Sequence, residues 1–165
     1  PEYQEFGLLE KRMESIWAGC ESLGLPVLVH AGNDIGFPEP GHSRPADYAE
    51  LARRYPGLEI ICAHMGGWRN WDQVERDLAG HRVYLDTSFS LPYMTDQSQF
   101  KRIILQHGTD HILYGTDSPW QNLQSGLNEI LLLNLPERDL ERILWGNAVK
   151  LFKLESIAKG ENSCL

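Results

Sequence analysis

The stretch that decides the fold is residues 58–67, which read LEIICAHMGG. Its first six residues are mostly apolar and include two isoleucines, which is typical of a buried β-strand. The strand ends at His64, and two glycines follow at positions 66 and 67. A metal-binding or proton-transferring side chain at the end of a buried strand is typical of an active site on a parallel sheet.

Three further strands are predicted, and each leads into a polar side chain. They are residues 26–29 before His30, residues 83–85 before Asp86 and residues 111–115 before Asp117. In a parallel α/β sheet the carboxyl ends of all strands open onto one side. We therefore expect His30, His64 and Asp117 to lie close together, although they are far apart in the sequence.

Helical segments separate these strands. The apolar spacing and the Gly and Pro positions predict helices at 8–23, 45–54, 70–79, 97–107 and 118–133, from Pro136 to about 145, and at 147–158. The strand ends at positions 30, 64, 86 and 117 are 34, 22 and 31 residues apart (64−30, 86−64 and 117−86), so each interval accommodates one crossover helix. Such connections produce parallel strands.

The sequence therefore predicts an α/β fold with a single domain over residues 1–165. Four βα units are half of a (β/α)8 TIM barrel, and a complete barrel typically needs about 250 residues. With 165 residues, the chain is either an open four-stranded sheet or a half-barrel.

Composition excludes several classes of protein. The net charge of −8 argues against a nucleic-acid surface, which needs clustered Lys and Arg. No apolar run approaches the roughly 20 residues of a membrane span, and the polar start does not resemble a signal peptide. Three cysteines without paired spacing fit a reducing compartment. We therefore expect a cytoplasmic protein that acts on a small molecule.

Two histidines and an aspartate at successive strand ends are a donor set that suits a divalent metal ion such as Zn²⁺. Each residue also has an ordinary structural alternative. His30 could be hydrogen-bonded in the core, His64 could be incidental to a tight turn, and Asp117 could cap the following helix. Ser118 before a proline is the better cap candidate, which leaves Asp117 available to bind metal and to accept a proton from bound water.

Four other residues are candidates for the same site. Arg44, in the Gly- and Pro-rich loop 32–44, could bind a substrate carboxylate, although a solvated surface arginine is the commoner case. Trp68 and Trp120 follow strand ends and either line a pocket or pack against the rim. Asp86 either makes the hydrogen bonds of an ordinary turn or orients a histidine. The loop 32–44 is long enough to hold specificity determinants.

We expect structural positions for several other histidine, asparagine and cysteine residues. His107 and His111 fall on the amino-terminal side of the last strand and are expected at the surface. Asn147 is expected to cap the final helix. Cys62 is expected to be an inert core residue, and Cys164 lies in a polar tail.

Six segments of the chain together resemble the amidohydrolase superfamily. They are residues 25–32 (LPVLVHAG), 54–58 (RYPGL), 63–67 (AHMGG), 84–88 (YLDTS), 114–119 (YGTDSP) and 146–148 (GNA) through Leu151 and Phe152. They occur in the family's order and span nearly the whole chain. The sequence is most similar to the amidohydrolase-related branch that includes aminocarboxymuconate-semialdehyde decarboxylase.

This resemblance implies a (β/α)8 barrel that holds a divalent ion, commonly zinc, with the four strands here as strands five to eight. It assigns His30 as the fifth-strand ligand. His64 becomes the sixth-strand ligand or the residue that polarises substrate and water, and Asp117 the eighth-strand ligand and proton acceptor. The His-x-His pair of the family's first strand has no counterpart in this sequence. An open half-barrel also exposes strand edges, which favours pairing with a second copy as a homodimer.

Three functions follow as hypotheses. The main one is a metal-dependent hydrolase in which metal-activated water attacks an ester, lactone or amide. The alternative is a metal-dependent, non-oxidative decarboxylase of a carboxylated aromatic or muconate-like acid. The third, from another class, is a metal-free α/β scaffold that self-associates without catalysis. Carbon dioxide release, hydrolysis, metal content and mass in solution distinguish them.

Overall fold

Four short parallel strands form the centre of the molecule. The structure is a computed structural model that describes residues 1–154. The strands are β1 (Val27–Val29), β2 (Ile60–Cys62), β3 (Tyr84–Asp86) and β4 (Ile112–Leu113), and they lie in the order β1-β2-β3-β4. All three pairings are parallel. The predicted parallel sheet is confirmed, with strands shorter than the apolar runs that encode them.

Helices connect and follow the strands. They are α1 (Glu14–Leu23), α2 (Pro45–Arg54), α3 (Trp71–Asp77), α4 (Ser98–His107), α5 (Leu123–Leu131), α6 (Glu137–Glu141) and α7 (Asn147–Phe152). Their ends follow from local chemistry. Gly24 ends α1 with a left-handed φ of 62°. Pro45 opens α2, and Pro56 prevents its continuation because it lacks a backbone N–H. The helix predicted over 147–158 ends at Phe152, because Lys153 adopts a left-handed φ of 56°, and the rest of that prediction lies outside the described residues.

The two faces of the sheet differ in how they are covered. One face contributes Val29, Ile60, Cys62, Leu85 and Ile112 to a large core shared with the helices. The opposite face carries a smaller cluster of Ile61, Tyr84 and Leu113, against which Ala148 and Leu151 pack. On β1, Leu28 is 65% exposed. Burial of the first face against helices is the packing expected of the outer layer of an α/β barrel.

The segment after β4 differs from its prediction. Helix α5 begins at Leu123, and the side chain of Asn122 accepts hydrogen bonds from the N–H groups of Gln124 and Ser125 at 2.9 and 3.2 Å. Ser118 makes no such cap, so the predicted helix start at that residue was wrong. Residues 118–121 instead remain in a loop beside the carboxyl end of β4.

Asn147 does not cap the final helix, because the backbone from α6 continues through a π-helical segment (Arg142–Gly146) directly into α7. Its buried side chain donates to the carbonyls of Thr109 and Ile112, both at 2.7 Å. These bonds tie α7 to the start of β4. No helix within residues 1–154 is long and apolar enough to cross a membrane.

His107 is buried, contrary to the expectation of a surface position. Its Nε2–H donates to the Val83 carbonyl at 2.9 Å, and its Nδ1 accepts from the Gly80 N–H at 3.1 Å. Both ring nitrogens are therefore satisfied in the neutral form. Burial lowers the pKa of His107 from 6.5 to about 4. A proton on Nδ1 would break the bond from Gly80, so folding and protonation of His107 oppose each other.

We predict that His107 makes the protein less stable in mild acid. The unfolded chain takes up a proton near pH 6.5, whereas the folded chain resists it until about pH 4. The free energy of unfolding should therefore fall by ~3 kcal/mol as the pH drops through this window. Urea denaturation of wild type and His107→Gln at pH 7 and pH 4.5 measures the effect, and the variant should lose less stability. Equal losses in the two proteins would contradict the prediction.

Candidate active site

A cavity of about 450 Å³ lies at the carboxyl ends of the strands. Its lining residues are Tyr3, His30, Asn33, Asp34, Ile35, His64, Trp68, Phe89, Asp117 and Trp120. The three residues expected to converge are all among them, and so are both tryptophans singled out from the sequence. Convergence follows from topology, since parallel strands deliver the residues after their carboxyl ends to one side of the sheet.

A backbone bridge beyond β1 and β2 brings His30 and His64 into contact. The chain after β1 pairs with the chain after β2 through Gly32 and Trp68. The Trp68 N–H donates to the Ala31 carbonyl at 2.7 Å, and the Asn33 N–H donates to the Trp68 carbonyl at 3.0 Å. As a result, the centroids of the two imidazole rings are 4.9 Å apart.

The His30 ring is held with one nitrogen available. Its Nε2 lies 3.1 Å from the Asn33 carbonyl, which only accepts, so Nε2 carries the proton and Nδ1 keeps its lone pair. Burial, followed by the neighbouring His64, lowers the pKa of His30 below its usual value. A neutral imidazole with a free nitrogen is the form that ligates metal ions.

The His64 ring is held through its other nitrogen, Nδ1. Its Nδ1 lies 3.2 Å from the Ser88 carbonyl, so Nδ1 donates and Nε2 keeps its lone pair. His64 and the next residue, Met65, both have left-handed backbone, with φ of 57° and 53°. The Asp86 carboxylate accepts from the His64 N–H at 3.0 Å and so anchors this unusual turn.

Asp117 occupies the left-handed region as well, with φ of 57°, and its side chain is exposed to the cavity. Within residues 1–154 its carboxylate makes no hydrogen bond or ion pair. A carboxylate placed this way can accept or deliver a proton, or bind a cation, without first breaking an existing contact.

Arg44 lies away from the cavity lining. Its exposed guanidinium is paired with Asp47 at 2.9 Å, and its N–H donates to the same carboxylate at 3.0 Å, both at the start of α2. This arrangement favours the surface alternative, because Asp47 three residues on completes a local cap. Within the described cavity wall, no arginine is present.

Aromatic side chains form one side of the cavity. Trp68 is only 3% exposed and packs against Phe89, with ring centroids 6.3 Å apart and planes at 25°. Trp120 is 75% exposed at the rim. Phe89 was missed by sequence reasoning, although its place three residues after Asp86 marks it as close to a strand end. Asn33, Asp34 and Ile35 fall in the loop expected to hold specificity determinants.

The donor chemistry suits a divalent ion in part. His30 and His64 each keep one nitrogen with a lone pair, and Asp117 faces the same cavity. Among residues 1–154, however, no three His, Cys, Asp or Glu side chains are grouped closely enough to hold an ion by themselves. A catalytic zinc normally has three protein ligands. The described residues therefore supply part of a ligand set and not a complete one.

A parallel sheet with most of its helices packed on one face and polar side chains at its carboxyl edge is the architecture of TIM-barrel proteins. The family model described as "Amidohydrolase" matches residues 1–154, and the chain belongs to this family. The match covers every segment on which the resemblance in sequence rests.

Several known proteins that are longer than this chain are similar to it. Gamma-resorcylate decarboxylase from Polaromonas sp. is 32% identical over 120 residues, which is 63% of this chain and 37% of the relative. The crystal structure of dihydroxybenzoic acid decarboxylase from Polaromonas sp. JS666, with bound manganese and the inhibitor 2-nitroresorcinol, matches with a TM-score of 0.64 at 21% identity, covering 90% of this chain and 56% of that one. The 5-carboxyvanillate decarboxylase from Sphingomonas paucimobilis matches with a TM-score of 0.63 at 17% identity, covering 93% and 55%. The chain thus spans about half the length of these solved structures.

Proposed function

We propose that residues 1–165 form the carboxyl-terminal half of a metal-dependent decarboxylase barrel that releases carbon dioxide from a carboxylated aromatic acid. The observation that carries this proposal is a cavity in which His30, His64 and Asp117 face an aromatic wall. The names of the relatives support the decarboxylase alternative in preference to hydrolysis, which was the main expectation from the sequence.

The lining of the cavity suits a flat aromatic acid. Trp68 and Phe89 stack at the inner wall, and Trp120 lies at the rim. Aromatic rings prefer offset or edge contacts with other rings, so this wall orients a substrate ring. The free imidazole nitrogens of His30 and His64 accept hydrogen bonds and so suit the ring hydroxyls of such a substrate.

A divalent ion completes the site in this proposal. His30 through Nδ1, and His64 through Nε2 or Asp117 through its carboxylate, would hold it together with ligands from the other half of the barrel. Bound there, the ion supplies positive charge that attracts the substrate carboxylate. Zinc is the ion expected from His and Asp ligands, whereas manganese is bound in one relative.

The chemistry assigned to this chain is proton transfer. Decarboxylation adds a proton to the ring carbon that bears the carboxylate. The electron pair of the broken carbon–carbon bond stays with the ring, and carbon dioxide leaves. We assign the proton to the Asp117 carboxyl, because no hydrogen bond or ion pair within residues 1–154 restrains it. His64, whose Nε2 lone pair is directed to the cavity, would hold the ion or accept a hydrogen bond from a ring hydroxyl of the substrate.

The open sides of the sheet fit a half-barrel. In the described sheet, β1 pairs only with β2 and β4 pairs only with β3, so each outer strand has an unpaired edge. Leu28 on β1 is largely exposed beside one of these edges. We propose that the other barrel half covers this face. The alternative is that a second copy of the chain covers this face. That alternative is the homodimer expected from the sequence, and also the self-association expected of a scaffold without catalysis.

The test uses the full-length barrel protein with 2,6-dihydroxybenzoate and 5-carboxyvanillate as substrates. We expect carbon dioxide release that stops after chelation and returns with added Zn²⁺ or Mn²⁺. Phenyl ester and lactone hydrolysis are measured in parallel, together with metal content and mass in solution. Hydrolysis without carbon dioxide release would refute the decarboxylase proposal and favour the hydrolase hypothesis. A metal-free, inactive and stable dimer would overturn the enzyme proposal.

A further inference from the structure

A buried serine connects the Asp86 carboxylate to the His64 ring. Ser88 is 4% exposed, and its Oγ lies 3.1 Å from His64 Nδ1. The same hydroxyl donates to Asp86 Oδ1, which also accepts from the Ser88 N–H at 3.0 Å. Asp86 was considered from the sequence as a residue that orients a histidine, whereas Ser88 was part of the segment 84–88 but was given no role.

The direction of these hydrogen bonds follows from the donors available. The Asp86 carboxylate only accepts, so the single hydroxyl proton of Ser88 points to Asp86. The lone pairs of Ser88 Oγ then face His64 Nδ1, and the Ser88 carbonyl lies 3.2 Å from the same nitrogen. Two acceptors at Nδ1 and none that donates require the His64 proton to lie on Nδ1.

We propose that Ser88, together with Asp86, is a positioning residue that fixes the Nδ1–H tautomer of His64 and so presents the Nε2 lone pair to the cavity. This inference deepens the proposed function and rests on it for the role of His64. Without the Asp86 carboxylate, the Ser88 hydroxyl could rotate its proton to Nδ1 and stabilise the opposite tautomer. The negative charge of Asp86 therefore keeps the Ser88 hydroxyl as a second acceptor at His64 Nδ1, beside the Ser88 carbonyl.

Ser90 provides a matched control, because it is buried in the same loop without touching the ring. Its Oγ donates to the Ser88 carbonyl at 2.8 Å. Ser90→Ala removes a buried hydroxyl of the same kind, two residues away, and leaves both acceptors at His64 Nδ1. Ser88→Thr keeps a hydroxyl at the position under test. The comparison separates loss of the hydroxyl contact to His64 from loss of any buried hydroxyl.

The test reads the tautomer directly by ¹⁵N NMR of histidine side chains in the full-length protein after chelation of its metal. We expect His64 of the wild type and of Ser90→Ala to carry its proton on Nδ1. Ser88→Ala keeps the backbone carbonyl of residue 88 but loses the hydroxyl acceptor, so the Nε2–H tautomer should become measurably populated. The metal-loaded form of this variant should lose about 10-fold in kcat with little change in KM. Ser88→Thr should restore both properties.

Either of two results would overturn the inference: a proton on Nε2 in the wild type, or an unchanged His64 tautomer and kcat in Ser88→Ala. The tautomer is measured without metal or substrate. A protein that showed the expected tautomers but no decarboxylation would therefore refute the proposed function while leaving the assignment of Ser88 intact.

Discussion

Replacing Asp117 with asparagine is expected to lower decarboxylation by about 10³-fold, within the range typical of lost acid–base catalysis. The amide has nearly the same shape but carries no transferable proton. The fold should persist, because asparagine tolerates the left-handed backbone at this position, where φ is 57°. Steady-state kinetics of the full-length, metal-loaded protein and its circular dichroism spectrum provide the measurement.

Asp110→Asn is the matched control for this prediction. Asp110 is exposed just before β4, at the opposite end of the same strand, and lies 3.5 Å from His111. The substitution removes the same charge from the same part of the fold without approaching the cavity, and activity should be retained. Full activity in Asp117→Asn would refute the assigned proton transfer. Equal losses in both variants would indicate a general effect of charge.

Gly32→Ala is expected to destabilise the protein by roughly 2–5 kcal/mol, the sum of typical costs for a left-handed alanine and for overpacking. Gly32 has φ of 92°, and a Cβ there would come within 2.5 Å of the Gly67 carbon and the Trp68 carbonyl oxygen. These are backbone atoms, which cannot move aside without breaking the bridge between the two chain segments. The midpoint of urea denaturation measures the loss, and low soluble yield is consistent with it.

The control is the same substitution at Gly19, inside α1. A Cβ at Gly19 meets no atom within 4 Å. Alanine also favours helix more than glycine does, by about 1 kcal/mol. Gly19→Ala should therefore be neutral or slightly stabilising. If Gly32→Ala denatured at the wild-type urea concentration, the bridge beside His30 and His64 would not be as rigid as the geometry requires.

Much of the fold is local in origin and was predicted from the sequence. The apolar runs before His30 and His64, and the glycine that ends α1, act through neighbours a few residues away. The helix predicted at Ser118 was wrong because Asn122, which was not considered as a cap from the sequence, caps α5 instead.

The candidate site was predicted in part. The strand ends identify His30, His64 and Asp117 because parallel topology sends them to one side. Arg44 was a plausible substrate ligand by residue type, but Asp47 pairs with it locally. Phe89 was overlooked because an aromatic residue after a strand has no distinctive spacing.

The sequence by itself determined the order of strands and helices and the residues placed at the carboxyl edge, since hydrophobic period and helix caps act within a few positions. Only the tertiary structure decided which nitrogen of each imidazole is free and which residues hold the rings. Ser88 and His64 are separated by 24 residues. Contacts of that kind exist only after neighbouring strands pair, because the direction of a hydrogen bond depends on atoms that folding alone brings together.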